Sequence, residues 1–235
     1  MKQNRSPEIS IIIPVLNEQD HIGDLLTHIK NRSSSQNIKE IIVVDGGSTD
    51  NTVQLAIAKG ASILHSKKGR AIQMNYGAKY ASGDIYYFLH VDTLPPRNFD
   101  SFILNAIAQG QEAGCFRMQF DSRSPFLKFF AWFTRINHKI CRGGDQSLYL
   151  TKSLFKKASG FNEAYKIYED SEFISRLYQI TDFKVLPRTV LTSARKYKEK
   201  GTVKLQYHFG VIHLKKFFGA GPDELYQYYK RNVSL

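Results

Sequence analysis

Short apolar runs alternate with amphipathic stretches along the first half of the chain. Runs rich in β-branched or aromatic side chains and bounded by turn residues are predicted to be strands, over residues 9–15, 40–45, 62–65 and 85–90. Stretches with apolar side chains at helical spacing lie between them, over residues 18–30, 50–59 and 70–81. Strands and helices that alternate at this spacing predict βαβ units, and therefore an α/β fold with a mostly parallel central sheet flanked by helices.

The pattern loosens after Asp92. Helices are predicted over residues 98–109, 125–140, 170–180 and 204–218, a strand over residues 115–120, and a polar helix from Asp223. For the earlier helix over residues 50–59, Ser48 and Asp50 are both candidate N-caps. We therefore predict one domain with a nucleotide-binding half, residues 1–122, and an acceptor-binding half, residues 123–235, which ends in basic helices.

The net charge of +12 is unevenly distributed along the 235 residues. Residues 1–122 carry 12 Lys or Arg and 12 Asp or Glu, so the whole excess lies in residues 123–235. A phospholipid surface, a lipid phosphate or nucleic acid would complement this charge, and a surface that only confers solubility would also explain it. The apolar runs are far shorter than the roughly 20 residues that span a bilayer. The first residues show no signal peptide pattern, and two cysteines suit a reducing compartment.

Acidic residues stand where the predicted strands end. These residues are Glu18, Asp45, Asp50 and Asp92. In an open α/β sheet the carboxyl ends of the strands form the edge at which ligands bind. Carboxylates repel phosphates unless a divalent cation lies between them, and Mg²⁺ and Mn²⁺ accept carboxylate oxygens together with substrate phosphates. Because neither a G-x-G-x-x-G nor a P-loop motif is present, the pattern favours a nucleotide bound through a metal ion.

An ordered set of motifs makes this prediction more specific. The set is Pro14-Val-Leu-Asn-Glu18, Val44-Asp-Gly-Gly-Ser-Thr-Asp-Asn-Thr52, Gly69-Arg70, Asn75, Gly77, Gly83-Asp84, His90-Val-Asp92 and Tyr168-Glu-Asp170. Across about residues 9–180 it resembles the inverting family 2 glycosyltransferases of GT-A fold. Gly144-Asp-Gln146, and the histidine in front of Val-Asp, are similar to a "transferase 2" subgroup associated with radical-SAM and selenodomain proteins.

The resemblance implies a donor site on the first half. Pro14, Asn17 and Glu18 would line the nucleoside pocket. Asp45 would accept a hydrogen bond from the base, and Gly46 would let the backbone approach the ring closely. Arg70 would reach a phosphate or the ribose side of the donor. The alternatives are a turn residue for Asp45 and a solvated helix residue for Arg70.

The resemblance also implies the metal and the catalytic residues. Asp92 occupies the last position of the family's Asp-x-Asp motif, but His90 stands at the first position and suits Mg²⁺ poorly. Asp92 would therefore hold Mn²⁺ or Mg²⁺ together with the donor diphosphate and water. Asp170 matches the general base, which removes the acceptor proton, and Glu169 would orient it. The alternatives are a packed strand-end histidine for His90 and a helix-start carboxylate for Asp170.

Residues of the second half are candidates for contacts with the acceptor, the donor sugar or the leaving diphosphate. Asp145 and Gln146 follow two glycines and are equally compatible with a turn. Trp132 lies in the aromatic and basic segment 124–140, which is compatible with a core helix or a helix in a membrane interface. Arg195, in a run of basic residues, would grip the leaving diphosphate or an acceptor phosphate, or belong to a charged surface.

Together these features predict an inverting, non-processive glycosyltransferase that moves one sugar from a nucleoside-diphosphate donor, UDP-linked in preference, to a hydroxyl acceptor. The acceptor classes are a lipid, a lipid phosphate and a small metabolite. Nucleic acid is not an expected partner, because no recognised module supports it. A nucleotidyltransferase and a non-catalytic nucleotide-sugar-binding protein at a membrane are the alternatives. A cytoplasmic location is expected, with membrane attachment at the inner face as a second option.

Overall fold

A curled central sheet organises the molecule in a computed structural model that describes residues 6–233. Its strands are β1 (Ile9–Val15), β2 (Ile38–Asp45), β3 (Ser62–His65), β4 (Ile85–Phe88), β5 (Thr93–Leu94), β6 (Ala113–Phe120), β7 (Leu148–Thr151) and β8 (Phe183–Thr192). Their order across the sheet is β3-β2-β1-β4-β7-β6-β8-β5. Residues 1–5, on which the signal-peptide prediction depends, lie outside the described residues.

Helices cover both faces of this sheet. They are α1 (Gln19–Arg32), α2 (Thr52–Ala58), α3 (Arg70–Tyr80), α4 (Phe99–Ala108), α5 (Pro125–Trp132), α6 (Lys152–Lys157), α7 (Glu169–Ile180), α8 (Arg195–Lys200), α9 (Thr202–Phe217) and α10 (Pro222–Asn232). Three short 3-10 turns connect α5 to β7, at Phe133–Arg135, Lys139–Cys141 and Gly144–Gln146. The predicted α/β sheet with flanking helices is confirmed. No helix among residues 6–233 is both long and apolar enough to cross a bilayer.

The first four strands run parallel to one another and end at the same edge of the sheet. β1 lies between β2 and β4, and β2 pairs with β3. Successive side chains of β1 point to opposite faces, so Ile11 and Ile13 pack under α1 while Ile12 packs under α3. Both faces are therefore apolar, which explains why β1 is a continuous hydrophobic run.

The rest of the sheet is mixed. β7 is antiparallel to β4 and to β6, whereas the long strand β8 runs parallel to β6 and then antiparallel to β5. The register between β6 and β8 shifts after Phe116, because Pro187 and Arg188 of β8 have no partner residue in β6. Proline cannot donate a ladder hydrogen bond and is placed at such irregularities, and this interruption hides β8 in the sequence pattern.

One predicted helix start and one predicted strand end are wrong for local reasons. α2 begins at Thr52 and not at residue 50, because Asp50 accepts hydrogen bonds from the backbone and the hydroxyl of Thr52 and from the backbone of Gln19. Ser48 does not cap α2 either, since its hydroxyl accepts the backbone N–H of Asn17. The strand predicted over residues 85–90 ends at Phe88, so His90 lies beyond the sheet.

The helix predicted over residues 125–140 ends at Trp132. The buried guanidinium of Arg142 donates to the carbonyls of Thr134 and Ile136, which a continuing helix would use for its own hydrogen bonds. The Thr134 hydroxyl also accepts the backbone N–H of Met118 in β6. The segment after α5 is thus tied to the sheet and to Arg142 and does not form a helix.

Candidate active site

A cavity of about 170 Å³ lies at the carboxyl edge of the sheet, between the strand ends and helices α7–α10. Its polar lining includes Arg70, Asp92, Asp145, Glu169, Asp170 and Lys196. Its apolar and aromatic lining includes Ile167, Tyr168, Tyr197, Leu205, Phe209, Ile212 and Tyr229. The cavity therefore has a charged side at the strand ends and α7, and a largely apolar side formed by the C-terminal helices.

The acidic turn after β2 is tightly hydrogen-bonded. Asp45 is buried, and its carboxylate accepts the backbone N–H groups of Gly47 and Ser48, with His65 Nδ1 at 3.4 Å. Burial would raise the pKa of Asp45, but the hydrogen bonds from Ser48 and Gly47 outweigh it and hold that pKa below its usual value. Asp45 thus shapes the turn, and its predicted contact with the base stays a prediction.

Buried Gln73 holds the ends of β1 and β2 together. Its amide donates to the carbonyls of Val15 and Val44, both at 2.8 Å. A Cβ added at Gly46 would lie 3.2 Å from the same amide, so glycine lets this backbone approach α3 closely. Gln73 was not among the predicted site residues, because a lone glutamine in a helix carries no signal in the sequence.

The residues predicted to line the nucleoside pocket take different positions. Pro14 is buried within β1, paired with Val44. Asn17 adopts a left-handed conformation with φ of 53° and accepts the backbone N–H of Thr49 at 2.8 Å, which ties the first two strand ends together. Glu18 accepts two hydrogen bonds from Arg195 Nη2, at 2.7 and 3.0 Å.

The Glu18–Arg195 pair joins two residues that are 177 positions apart. The Glu18 carboxylate accounts for the raised pKa of Arg195, first through the hydrogen bond and then through its charge. Sequence analysis placed both residues on the donor side without predicting their contact. Their pairing brings the start of α8 against the end of β1.

Helix α7 carries the predicted catalytic residues at its N-terminus. It begins at Glu169, directly after Tyr168, whose φ of 68° is a left-handed conformation that costs about 1 kcal/mol or more for a non-glycine residue. The Tyr168 hydroxyl lies 3.1 Å from His213 Nδ1 in α9. The segment that leads into α7 is fixed to α3, since the Asn75 side chain bonds both the N–H and the carbonyl of Phe161.

His90 and Asp170 form a buried contact at the cavity. His90 Nε2 lies 3.3 Å from Asp170 Oδ2, and Nδ1 lies 3.9 Å from Asp145 Oδ1. Burial would lower the pKa of His90, but the Asp170 carboxylate outweighs it and raises that pKa. Burial would raise the pKa of Asp170, and His90 in turn holds it below its usual value, in the ionised form. Both imidazole nitrogens face carboxylates, so neither points freely to a cation.

Gly144 sits against this contact. A Cβ added at Gly144 would collide with both the Asp170 carboxylate and the His90 ring. The turn that carries Gly144 is anchored from below, because buried Gln146 accepts a hydrogen bond from Arg142 and donates to the carbonyl of Cys141. The Gly143-Gly144 doublet was the one signal in the sequence that pointed to a close approach here.

Asp92 and Asp145 both line the cavity. Partial burial at the cavity and then the neighbouring Asp92 carboxylate raise the pKa of Asp145, and since 54% of this side chain is exposed the nearby carboxylate is the firmer cause. No set of three or more His, Cys, Asp or Glu side chains within residues 6–233 is arranged to hold a metal ion. Two carboxylates that repel each other beside a cavity fit a divalent cation that takes its other ligands from a diphosphate and water.

Arg70, at the first position of α3, reaches across to α7. Its Nε lies 3.2 Å from Glu169 Oε1, and 42% of its side chain remains exposed. The negative charge of Glu169 raises the pKa of Arg70. Arg70 therefore stays charged and in place at the cavity wall, with an exposed portion that can meet a phosphate.

The structure thus brings together Arg70, Asp92, Asp145, Glu169 and Asp170. It does not bring Gln146 or Trp132 to the cavity, because the Gln146 amide is bonded inside its loop and Trp132 lies on the outer side of α5. Sequence analysis missed Lys196 and His213, and it named Gly144 and Tyr168 only as parts of motifs, with no role in the site.

Comparisons with known proteins identify the family. Residues 10–171 match the model of Glycosyl transferase family 2. The chain belongs to this family. The finer subgroup suggested by the Gly144-Asp-Gln146 motif stays a prediction.

Among family relatives, the succinoglycan biosynthesis protein ExoA of Rhizobium meliloti is 25% identical over 190 residues, which cover 71% of this chain and 57% of that protein. The chain therefore spans little more than half of this relative. Among solved structures, the mannosyltransferase PcManGT of Pyrobaculum calidifontis, in complex with GDP-Man and Mn²⁺, has a TM-score of 0.69 at 18% identity, covering 96% of this chain and 70% of its own.

A second solved structure is glucosyl-3-phosphoglycerate synthase of Mycobacterium tuberculosis, in complex with Mn²⁺, UDP and glucosyl-3-phosphoglycerate. Its TM-score is 0.60 at 17% identity, and the match covers 80% of this chain and 70% of that one. At such identities the two structures show a shared GT-A-like fold.

Proposed function

We propose that this protein transfers one sugar from a nucleoside-diphosphate donor to a hydroxyl acceptor, with inversion at the anomeric carbon. One observation carries the proposal: the ionised, buried carboxylate of Asp170 opens into a cavity at the ligand-binding edge of the sheet, beside Arg70 and Asp92. Membership of glycosyl transferase family 2 supports the reaction class.

Asp170 acts as the general base. It takes the proton from the acceptor hydroxyl while that oxygen forms a bond to the anomeric carbon from the face opposite the diphosphate. The bond between the anomeric carbon and the phosphate oxygen breaks, and the nucleoside diphosphate leaves with the electron pair. One displacement inverts the anomeric centre, so one carboxylate base is enough. His90 is a positioning residue, because its Nε2 fixes one oxygen of Asp170.

The donor diphosphate would lie between the strand ends and Arg70. Asp92 and Asp145 would hold a divalent cation, which when bound neutralises charge on the diphosphate. Arg70 stays charged beside Glu169 and contributes a second positive group toward the phosphates. Structural neighbours that contain Mn²⁺ with a nucleotide or nucleotide sugar support this arrangement. The preference for a UDP-linked donor rests on the resemblance alone.

The acceptor would bind against the start of α7 and against α8, α9 and α10. This wall combines the aromatic rings of Tyr168, Tyr197 and Tyr229 with the ammonium group of Lys196. Such a wall suits a hydroxyl compound that carries an acidic group, which includes lipid phosphates and small acids. The neighbour solved with glucosyl-3-phosphoglycerate supports an acidic acceptor.

The test is a panel of nucleotide sugars, each incubated with the protein with and without Mn²⁺ or Mg²⁺. We expect one donor to raise the melting temperature and to release nucleoside diphosphate slowly, with faster release when an acidic acceptor is present. Release of a sugar phosphate, with the nucleoside monophosphate transferred to the acceptor, would instead indicate a nucleotidyltransferase. If no nucleotide sugar changes the melting temperature, the proposal is wrong.

A further inference from the structure

Helix α9 is apolar on two opposite sides. Leu205 and Ile212 are buried on its inner side. The outer side carries Val203, Tyr207 and Leu214, which recur at helical spacing but are exposed, with Val203 at 67%. A surface helix normally presents polar side chains on the side away from the core, so the apolar residues on the outer side of α9 are a candidate interaction surface.

Helix α5 continues the same surface. Its Phe126 and Phe130 form one wall of a groove of about 460 Å³, and the outer side of α9 forms the other wall. Opposite the buried residues Leu127 and Ala131, the ring of Phe129 points outward. Only one side of α5 therefore belongs to the core, and the other side is exposed.

Exposed apolar side chains are concentrated on these two segments. Of the 14 large apolar side chains exposed within residues 6–233, nine lie between residues 129 and 140 or between 203 and 218. They are Phe129, Trp132, Ile136, Ile140, Val203, Tyr207, Leu214, Phe217 and Phe218, and Phe217 is 81% exposed. Exposed apolar side chains concentrated on two segments that share a groove mark an interaction site. We call it the α5–α9 face.

The charges on the α5–α9 face have one sign. No Asp or Glu occurs in residues 123–144 or 200–222. Lys128, Arg135, Lys139 and Lys204 are exposed on the same segments. A second copy of the chain would place these cations against each other with no acidic partner, which disfavours a symmetric dimer. Aromatic rings interleaved with lysine and arginine match the interface of an anionic bilayer.

We propose that the α5–α9 face docks on a membrane surface that contains anionic lipids. The aromatic side chains enter the boundary between headgroups and acyl chains, while the lysines and arginines contact lipid phosphates. The inner side of α9 lines the cavity, so docking would set the cavity close to the membrane. The proposal stands on exposure and charge, and does not depend on the transferase reaction.

The single tryptophan of the chain provides the readout, because Trp132 lies on this face with 55% of its surface exposed. The full chain is mixed with vesicles of phosphatidylcholine alone, or with about 30 mol % phosphatidylglycerol added. We expect a blue shift of tryptophan emission and co-sedimentation only with the anionic vesicles, both weakened by salt. Absence of a shift and of co-sedimentation with the anionic vesicles would overturn the proposal.

Two pairs of variants keep Trp132 as the reporter. Phe129→Ser with Tyr207→Ser is expected to lower vesicle partitioning by at least tenfold. Lys128→Gln with Lys204→Gln is expected to lower it by roughly fivefold per lysine. The matched control is Ile57→Ser with Tyr80→Ser, which removes exposed apolar side chains from α2 and α3 and should leave partitioning unchanged.

Circular dichroism is used to check that each variant is folded. The lysine variant tests the proposal even if the aromatic variant unfolds. Unchanged partitioning of the folded lysine variant would contradict the proposal. Light scattering tests whether a second copy of the chain covers this face instead. If the protein is a dimer and Phe129→Ser with Tyr207→Ser converts it to a monomer, the α5–α9 face is a dimer interface. A monomer in solution that binds anionic vesicles supports the bilayer.

Discussion

The parallel part of the sheet, β1 to β4, and the chain after residue 113 contribute to one cavity in different ways. The parallel part repeats a strand and a helix, and places its polar groups by ending several strands at one edge. The later part delivers Asp145 and Asp170 from an irregular turn and a helix N-terminus. The regular part determines where a ligand binds, and the irregular part determines the spacing between reacting groups. Substitutions in the parallel part should therefore mainly affect ligand binding, and substitutions in the later part should mainly affect turnover.

The largest expected effect separates chemistry from binding. Asp170→Asn removes the proposed base but keeps the shape of the side chain, so we expect the turnover number to fall by about 10²–10⁴-fold. Donor affinity, measured by calorimetry, should change by no more than about twofold, because the proposed donor contacts of Arg70, Asp92 and Asp145 are left unchanged. Glu172→Gln is the control on the same helix, since Glu172 pairs with Arg176 away from the cavity. Donor affinity lost together with turnover would refute this division between the halves.

The next effect tests the close packing at Gly144. Gly144→Ala places a methyl group against His90 and Asp170, and should lower the free energy of unfolding by about 1–3 kcal/mol. Transfer should fall about 100-fold, because the base is displaced. Gly143→Ala is the matched control, since its Cβ would meet no atom within 4 Å. Chemical denaturation and steady-state kinetics measure the two effects. Equal behaviour of the two alanine variants would show that the packing at Gly144 is unimportant.

A third substitution weakens the parallel part without touching the cavity. Gln73→Leu leaves the buried carbonyls of Val15 and Val44 without their amide donor, so we expect a loss of about 1–3 kcal/mol in the free energy of unfolding. Donor affinity should fall, since the strand ends separate, while the turnover number of donor-saturated protein should fall less. Gln54→Leu on the exposed side of α2 is the control. If Gln73→Leu lowered the turnover number as much as Gly144→Ala does, the proposed division of roles between the two parts of the chain would be wrong.

The smallest effect measures the link between the two parts. A double-mutant cycle with Glu18→Gln and Arg195→Met should give a coupling energy of about 1 kcal/mol, because the side chains are only 17% and 32% exposed. The pair Lys215–Glu224 has the same N–O distance, but its side chains are 36% and 58% exposed. Its coupling energy should therefore be only a few tenths of a kcal/mol. High salt should weaken the second pair more than the first. A coupling energy of zero at Glu18–Arg195 would mean that the pair contributes no stability.

How much the sequence predicts differs between the two parts for physical reasons. The strands β1 to β4 and helices α1 and α3 follow from local patterns, since each buries a periodic set of side chains. β8 has Pro187 in its middle, and the end of α5 depends on carbonyls captured by Arg142 from beyond the helix. Such non-local hydrogen bonds leave no periodic signal.

The candidate site shows the same contrast. Asp92 and Asp170 could be selected from motifs, because the resemblance marks individual positions. The contact between His90 and Asp170 could not, since it joins a strand end to a helix start and depends on the missing Cβ of Gly144. Gln146 and Trp132 were reasonable candidates by composition, but a hydrogen-bonded loop and an outward helix face place them away from the cavity.

The Glu18–Arg195 pair has a consequence for the order in which the chain is made. A ribosome releases the strand end that carries Glu18 long before it adds Arg195. Until then the acidic edge has no cation from α8, and the apolar wall from α9 does not yet exist. The nascent chain can therefore complete its parallel strands early, but a closed cavity must wait until α8, α9 and α10 have been made. A chain released before α8 would resemble the full chain in its sheet and lack the cation and the apolar wall of the candidate site.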